Sequence, residues 1–380
     1  MNLLLIPELN TQFVLFCIFC LTILILLWYY LFYFARVAFY KEKKKFPNDI
    51  QPASIIVCAK NEDHTLPEFL PLVLSQDYPE YEVIVVDDCS WDNTTDVLRE
   101  FKKKYKHLKV ITIKEDEKHP HGKKFAVMVG IKGTKYESIL FTDADCKPID
   151  NQWLKKMVRN FSDKTEIVLG YSKYEKLPGF LNKLIRYDTF QIALQYLSFA
   201  MAGTPYMGVG RNFAYKKTLF FKHKGFASHC HIESGDDDLF VNEASTRTNT
   251  KAEISTDSFT ISQVKKNWKE WIEQKRRHLS TWKEYKLSDK LRLGLYLFSQ
   301  IFFWMSFIAL MFFQYETYIV LAAFGFRWLI QMIIFKLAMN KLKEQDLFLL
   351  LFISEIFFLG FYFVLMVLNC FMRKNKWKKI

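Results

Sequence analysis

The chain has 380 residues, of which 51% are hydrophobic and 17% aromatic. This apolar content excludes an intrinsically disordered chain, and the 13 glycines and 10 prolines are too few for a collagen-like or low-complexity one. The net charge is +13, and the mean hydropathy of −0.01 is that of an ordinary soluble protein, but this average conceals apolar ends and a charged middle.

The first long apolar segment spans residues 11–35 and contains no charged residue. About 20 apolar residues suffice to cross a bilayer. A signal peptide is disfavoured because the segment is too long, has no small-residue cleavage site after it and carries its positive charges on the wrong side. Those charges are Arg36, Lys41 and the lysines at 43–45. We therefore predict that residues 1–45 form a transmembrane helix whose basic flank is cytoplasmic.

The middle of the chain, residues 46–290, alternates short β-branched segments with helical patterns. The predicted strands are 53–59, 81–88, 107–113 and 137–145, and the predicted helices between them include 65–76 and 94–105. This alternation predicts an α/β fold with a mostly parallel sheet and helices on both faces. Ligands of such sheets bind at the carboxyl ends of the strands.

Three further apolar segments occupy the C-terminal region, at 293–313, 315–335 and 347–372. We predict that residues 291–380 contain these membrane segments, about three in number, and a basic tail at 373–379. Because charges are costly at membrane depth, Arg327 and Glu355 should face a protein interior, a partner or a headgroup layer. Four crossings would place the tail outside, against the positive-inside rule, whereas a re-entrant 315–335 segment would return it inside. A buried helix of a soluble domain is the other interpretation of that segment.

Carboxylates cluster where the predicted strands end. They are Glu62, Asp87 and Asp88, Asp143 and Asp145, and the run Asp236, Asp237 and Asp238. In a D-x-D motif both carboxylates point to one face of the strand, and hard oxygen ligands at this spacing suit Mg²⁺ or Mn²⁺ with a phosphate completing the shell. Solvated aspartates in surface turns would explain any one pair, but they explain four acidic clusters in one domain poorly.

Motifs that would indicate other kinds of nucleotide-binding protein or a hydrolase are missing from the sequence. It contains no G-x-x-x-x-G-K-[ST] phosphate loop, no G-x-G-x-x-G after the first predicted strand and no G-x-S-x-G nucleophile elbow. The pair Gly208 and Gly210 lies too far downstream to indicate a dinucleotide site. No nucleic-acid fold signature accompanies the positive charge, so we expect no nucleic-acid partner and assign much of that charge to the membrane edges.

The ordered motifs ASIIVCAKNE, VIVVDDCSWDNT, HGKKFAV and ILFTDADCKP resemble the nucleotide-sugar-binding half of family-2 inverting glycosyltransferases. Further along, GVGRNFAYKK, SGDDDLFVNEA and QKRRH resemble the acceptor half. The resemblance covers about 50 to 280, and flanking membrane segments are typical of members such as polysaccharide synthases and ceramide glucosyltransferases. It implies a GT-A fold and a metal-assisted transfer, with Mg²⁺ or Mn²⁺, from a nucleotide sugar, UDP-sugar being favoured, to a hydroxyl of a lipid or growing glycan.

The resemblance also implies residue roles. The metal would be held by Asp143 and Asp145, and the general base would be Asp236 or Asp237. The donor-binding residues would be Ala59, Glu62, Asp87, Asp88, Lys123 or Lys124, Asp143, Gln274, Arg277 and His278. The acceptor side would include Gly210, Arg211 and Asn212.

Two departures from the family pattern leave questions open. His278 stands where the family has a tryptophan that commonly floors the acceptor site, so acceptor type and processivity stay open. Gly235 replaces the glutamate before the base, so either of the next two aspartates could serve. A processive synthase and a non-catalytic membrane scaffold that retains the fold are the alternatives; a transporter would leave the large middle domain unexplained.

The segment 264–290 is rich in Lys, Arg and Trp. We predict an interfacial helix with Trp268, Trp271 and Trp282 near lipid headgroups, and a solvated helix face is the alternative. The nearby His229 and His231 have spacing that would place them on one face of a strand. They lack a complete ligand set, which favours packing over metal binding.

Overall fold

The computed structural model describes residues 10–42, 51–114, 122–232 and 234–371, the side chains of 370 and 371 excepted. The predicted basic flank at 43–45 and the basic tail at 373–379 lie outside the described residues. All the predicted site residues lie within them.

The described residues form helices and strands along the whole chain. The helices are α1 (Thr11–Trp28), α2 (Ala35–Ala38), α3 (Leu66–Leu74), α4 (Thr94–Lys104), α5 (Lys123–Gly133), α6 (Trp153–Val158), α7 (Phe180–Met201), α8 (Lys217–Lys222), α9 (Asp238–Ala244), α10 (Trp268–Leu279), α11 (Leu287–Phe312), α12 (Thr317–Leu342) and α13 (Leu351–Phe371). The strands are β1 (Ala53–Ala59), β2 (Tyr81–Asp88), β3 (Leu108–Ile113), β4 (Ser138–Asp143), β5 (Cys146–Pro148), β6 (Ile167–Leu169), β7 (Ser172–Tyr174), β8 (Phe213–Lys216), β9 (Thr250–Ala252) and β10 (Thr260–Ser262).

The main sheet has seven strands in the order β3-β2-β1-β4-β8-β6-β9. The first four run parallel, and β8 alone is antiparallel to its neighbours β4 and β6. This arrangement confirms the predicted α/β class and its mostly parallel sheet. A second sheet of three short strands, β5-β10-β7, lies beyond the end of β4.

Burial on both faces explains why the middle of each central strand is a run of apolar residues. In β1, Ile55 and Val57 pack in one core with α3, α4 and α6, whereas Ile56 packs in another with Val127 and Ile131 of α5. A strand covered on both sides gains from an apolar side chain at every position. The central strands β1, β2 and β4 therefore each carry an apolar run that stops near the edge where they end, whereas the outer strand β3 has the exposed Lys109.

Four helical segments are long and apolar enough to cross a membrane: Thr11–Ala38, Leu287–Phe312, Thr317–Leu342 and Gln345–Asn369. The first runs through a π-helical turn, Tyr29–Phe34, between α1 and α2. The segment predicted at 315–335 is thus a helix of full spanning length. These helices meet the sheet domain through α7, whose Tyr187 stacks on Phe358 of α13 at 5.8 Å between ring centroids.

Arg327 and Glu355 face the interior of this helix bundle, one of the environments predicted for them. Arg327 is fully buried, donates from Nη1 to Glu355 at 3.0 Å and also pairs through Nη2 with the second carboxylate oxygen. The Tyr30 hydroxyl accepts from Arg327 at 2.5 Å, and Gln300 donates to Glu355 at 3.3 Å. The pair is therefore contacted by a residue of the π-helical turn after α1 and by one of α11, so all four apolar helical segments contribute to it.

Candidate active site

The parallel register brings the acidic strand ends to one edge of the sheet. Cys58 of β1 lies opposite Asp143 of β4, and Ala59 lies opposite Asp87 of β2. Ala59, the last residue of its strand, is buried. The loops that follow β1, β2 and β4 therefore surround a common cleft, as expected for a parallel sheet.

The loops after β1 and β2 hold each other in place. The Glu62 amide donates to Thr94 Oγ1 at 2.8 Å, and the Asn61 side chain accepts from the Trp91 amide at 3.0 Å. Asn61 has a left-handed backbone with φ 57°, a conformation that asparagine tolerates better than most residues. These bonds set the position of Glu62 at the cleft.

The two aspartates that end β2 have different surroundings. Asp87 is fully buried and accepts from the Ser90 amide at 3.2 Å and from Thr95 Oγ1 at 2.7 Å. Since both of its oxygens bond to the following loop, Asp87 organises that loop. Asp88, its neighbour, is almost as buried. Burial raises the pKa of the nearby Cys58 thiol, and the negative charge of Asp88 adds to that effect.

The D-x-D carboxylates are crowded together. Oxygen atoms of Asp143 and Asp145 and the Cys146 sulfur all lie within 4.8 Å of one another. Burial and the charge of Asp143 raise the pKa of Asp145, and burial raises the pKa of Glu62 to about 7, an effect that the charges of Asp145 and Asp143 reinforce. Such crowding of carboxylates in a cleft is relieved by a bound cation.

The donor set fits a hard divalent metal ion. Asp143 and Asp145 supply carboxylate oxygens, the ligands that Mg²⁺ and Mn²⁺ prefer. Cys146 does not compete as a thiolate, because burial holds its pKa well above the ordinary value and its Sγ donates to Asp145 at 3.3 Å.

Only one of the two candidate lysines points into the cleft. Lys123, at the start of α5, lies 2.8 Å from Asp143 and 3.3 Å from Asp236. Although burial raises the pKa of Asp143, the Lys123 charge outweighs it and keeps that pKa below its ordinary value. Lys124 instead donates to the carbonyls of His229 and Ile232, at 2.7 and 2.9 Å. Of the two lysines predicted as alternatives for the donor site, only Lys123 therefore lies in the cleft.

The three consecutive aspartates at the start of α9 differ in their partners. Asp237 accepts from the amides of Gly210 at 2.5 Å and of Asp238 at 2.8 Å, one on each oxygen. Burial and the charges of its two neighbours raise the pKa of Asp237 to about 7. Asp238 accepts from the hydroxyls of Thr281 at 2.5 Å and Tyr285 at 2.9 Å.

Asp236 is the member of this run that faces the cleft. It lines a small pocket with Lys123, Asp143, Gly210 and Cys58. A Cβ at Gly210 would lie 3.1 Å from Asp237 and 3.2 Å from the Lys123 ammonium, so a side chain there would crowd both groups. The pocket therefore joins the D-x-D motif to the acidic start of α9.

The structure does not bring Asn212 to the cleft, contrary to its predicted place on the acceptor side. Its side chain is fully buried. The amide nitrogen donates to the carbonyls of Tyr171 and Ser258, both at 2.8 Å, and the oxygen accepts from Trp153 at 3.0 Å. Because all its hydrogen-bonding groups hold the framework together, we assign Asn212 to the framework.

Helix α10 carries the remaining predicted donor residues. Gln274 donates to the Tyr174 hydroxyl at 3.1 Å, and Arg277 and His278 are exposed one turn later. The prediction that Trp271 contacts headgroups is wrong: it is fully buried and stacks on Phe361 of α13 at 4.6 Å between centroids. Trp268 and Trp282, in contrast, are exposed.

Three residues of the site were not predicted. Thr281 and Tyr285 bind Asp238, and their spacing of four residues is the one available signal, because it places both on one side of a turn. Tyr174 gave no signal, since β7 and its pairing with β10, which bring the ring to Arg211 and the hydroxyl to Gln274, were not predicted. His229 was predicted to pack rather than to bind metal, and it is buried, with its ring centroid 5.8 Å from that of Phe226. It is the last residue of a short 3₁₀ helix and does not lie in a strand.

Residues 54–227 match the Glycosyl transferase family 2 profile. This part of the chain belongs to that family. The match covers β1 to β8 and includes the D-x-D motif, Lys123 and the Gly210 loop. The motifs SGDDDLFVNEA and QKRRH lie beyond the matched residues.

Curated relatives support the same family. A glycosyltransferase named AglE from Haloferax volcanii is 33% identical over 36% of this chain and 44% of its own length. A poly-beta-1,6-N-acetyl-D-glucosamine synthase from Staphylococcus epidermidis is 31% identical over 36% of this chain and 32% of its own. The matches thus span less than half the length of either relative.

A solved structure extends the likeness to nearly the whole chain. It is a mannosyltransferase from Pyrobaculum calidifontis in complex with GDP-Man and Mn²⁺. The similarity covers 95% of this chain and 99% of that one with a TM-score of 0.58 and 17% sequence identity. At this identity the likeness concerns the fold, and it confirms the GT-A-like architecture with its added apolar helices.

Proposed function

We propose that the protein is a membrane-bound inverting glycosyltransferase that moves a sugar from a nucleotide-sugar donor to a hydroxyl group. The observation that supports this most is the pocket where Lys123 lies between the D-x-D carboxylate Asp143 and the acidic start of α9. A donor diphosphate bound beside Asp143 would have Lys123 and a carboxylate that can accept a proton close to it.

The donor side follows from the cleft. Glu62 and Asp88 would contact the nucleoside, with Ala59 at the strand end, and Lys123 would approach the diphosphate when its aspartates engage the metal ion. Asp143 and Asp145 would hold that ion, Mg²⁺ or Mn²⁺, which when bound offsets the negative charge that grows on the leaving diphosphate. We propose a UDP-sugar as donor on the basis of the family resemblance.

Two residues of α10, Gln274 and Arg277, would complete the donor side of the cleft. The exposed Arg277 can offer its planar fork of N–H groups to phosphate oxygens. Gln274 is held by Tyr174 at the edge of the cleft. His278 follows on the same helix, where a tryptophan would be expected, and its imidazole would border the acceptor.

Asp236 is the proposed general base. An inverting displacement needs one carboxylate to accept the acceptor hydroxyl proton as the new bond forms on the opposite face of the sugar. The oxygens of Asp237 receive backbone amides, and Asp238 receives two hydroxyls, whereas Asp236 lines the pocket. Asp237 would hold the Gly210 loop in place.

The acceptor would be a lipid or a growing glycan reached from the membrane side. The apolar helices and the basic residues Arg36 and Lys41 support an integral protein of the cytoplasmic membrane with its catalytic domain in the cytoplasm. Repeated addition to a glycan is the second candidate, and the likeness to a polysaccharide synthase favours it.

The test is a screen of UDP- and GDP-sugars with purified protein in lipid nanodiscs, membrane lipid extract and Mn²⁺ or Mg²⁺, read by mass spectrometry. We expect a glycosylated product from the wild-type protein and from Asp96→Asn, which alters an exposed carboxylate on α4. Asp236→Asn should lose transfer while keeping its thermal stability. Full activity of Asp236→Asn would reject the base, and absence of nucleotide-sugar binding by the wild type would favour the scaffold alternative. The product's length distinguishes single from repeated addition.

A further inference from the structure

Arg211 has its backbone fixed beside the D-x-D motif. Its carbonyl accepts from Thr142 Oγ1 and from Thr260 Oγ1, both at 3.1 Å. Thr142 is the residue immediately before Asp143 in β4, and Gly210, immediately before Arg211, donates its amide to Asp237. The Cα of Arg211 is therefore held between the metal-ligand motif and the acidic start of α9.

The Arg211 side chain lies against an aromatic ring of the cleft. The guanidinium carbon lies 4.4 Å from the centre of the Tyr174 ring. Its Nη1 atom is buried and has no hydrogen-bond partner in the described part of the chain. A buried donor left unpaired is costly, and the cost is greater for a charged group. This position of the site thus offers a charged N–H group for an anion.

The surrounding charges favour a phosphate group as that anion. Asp143 and Asp145 interact with Arg211 through their charges, yet the described residues show no ion pair between them and the guanidinium. Lys123, a second cation in the cleft, is already shared by two aspartates. A ligand with several negative oxygens placed at the D-x-D motif would reach the unpaired N–H, and a guanidinium can bind two such oxygens at once.

We propose that Arg211 binds the diphosphate of the nucleotide donor and that Tyr174 is its positioning residue. The inference rests on the proposed function and replaces the predicted acceptor-side role of Arg211. The guanidinium of Arg211 lies over the Tyr174 ring, and the Tyr174 hydroxyl accepts a hydrogen bond from Gln274 of α10. Arg211, Tyr174 and Gln274 thus link the D-x-D motif to α10.

Helix α10 is in turn anchored to a membrane-spanning candidate. Trp271 stacks on Phe361, Arg276 donates to Asn369 at 2.8 Å, and Lys275 pairs with Asp188, which also accepts from Tyr362. Because Phe361, Asn369 and Tyr362 all belong to α13, the packing of that helix determines where Gln274 lies. The diphosphate subsite is therefore connected to the membrane helices through Tyr174.

The test compares phosphate-bearing and phosphate-free probes. Calorimetry with Mn²⁺ would measure binding of UDP, GDP, uridine and guanosine to the full-length protein and its variants. Arg211→Ala should weaken diphosphate binding by about 10- to 100-fold, the range for a charge-assisted hydrogen bond, and leave nucleoside binding unchanged. Arg211→Lys should recover part of the loss. Arg99→Ala, which removes an exposed arginine of α4, is the matched control.

Variants of Tyr174 separate its ring from its hydroxyl. Tyr174→Phe keeps the ring under Arg211 and should raise the donor KM by only about 2- to 5-fold, whereas Tyr174→Leu should approach the Arg211→Ala effect. Unchanged UDP or GDP affinity in Arg211→Ala, with a raised acceptor KM, would overturn the inference and restore the acceptor-side role. If the wild type binds neither diphosphate, the proposed function fails and the inference with it.

Discussion

Buried charges are balanced in the helix bundle but not in the cleft of the sheet domain. In the bundle, Arg327 meets Glu355 through both carboxylate oxygens, and Tyr30 and Gln300 satisfy the pair further. In the cleft, Lys123 is shared by Asp143 and Asp236, Asp237 acts on it through its charge, and Asp145 lies beside Asp143. The first arrangement is balanced, and the second has an excess of negative charge.

This difference separates groups that hold a fold from groups that await a ligand. A balanced pair in an apolar interior has no remaining affinity for ions, and its role is to order the helices that provide it. An excess of carboxylates costs free energy until a cation and its phosphate arrive, so it is kept only where binding occurs. The predictions below unbalance the first region or relieve the second, from the largest expected effect to the smallest.

The largest effect is expected from Asp145→Asn in the cleft. Removing one of two carboxylate ligands should weaken Mn²⁺ binding and lower the turnover number by about 10²- to 10³-fold, the scale of a lost electrostatic contact to the transition state. Calorimetry with Mn²⁺ and UDP, together with the transfer assay, would measure both. Thermal stability should not fall, because the lost charge was crowded. Full activity would reject the metal assignment.

The next effect is expected from unbalancing the bundle. Glu355→Gln leaves the buried Arg327 charge without its counter-ion, which should cost about 3–5 kcal/mol of stability. Thermal unfolding in detergent would show the loss. Replacing both residues with methionine should recover most of it, since an apolar pair needs no charge balance. Equal stability of Glu355→Gln and the wild type would show that the pair contributes little.

A smaller, pH-dependent effect is expected at Glu62. Its pKa is raised to about 7 by burial, so the folded state holds a proton that the unfolded state, with an ordinary pKa, has already released. This group therefore reduces stability as the pH rises from about 4.5 to 7, and the cost is then constant. Glu62→Gln should raise stability by about 1 kcal/mol at pH 8 and by less at pH 5. Thermal melts at both values test this, and an equal gain at both would contradict the raised pKa.

Residue patterns predicted the sheet domain well where burial is uniform. The segment predicted as a strand at 81–88 is one over its full length, because its middle, 83–86, is apolar and buried, and two aspartates follow at its polar end. The D-x-D motif was located for the same reason. Helix boundaries were less sharp: the helix predicted at 65–76 spans Leu66–Leu74.

Contacts between distant segments could not be read from the sequence. The amide of Gly210 binds Asp237, 27 positions away, and this bond distinguishes Asp237 from Asp236, which look equivalent in sequence. Likewise, Trp271 lies in a segment whose composition is typical of a helix at lipid headgroups, but its side chain packs on Phe361. Asn212 lies in a motif with a family role, yet its amide is used in the framework. In each case a tertiary partner decides the role.

The Arg327 pair has a consequence for the biogenesis of the protein. The ribosome makes α12 before the residue that neutralises its arginine, which lies 28 positions later in α13. Until then, Tyr30 of the first helix is its main polar partner, and a lone arginine in a nascent helix is costly in lipid. We therefore expect α12 and α13 to enter the bilayer together as a helical hairpin. A chain truncated after residue 342 should insert α12 less completely than the full chain, and glycosylation mapping of the two products would measure the difference.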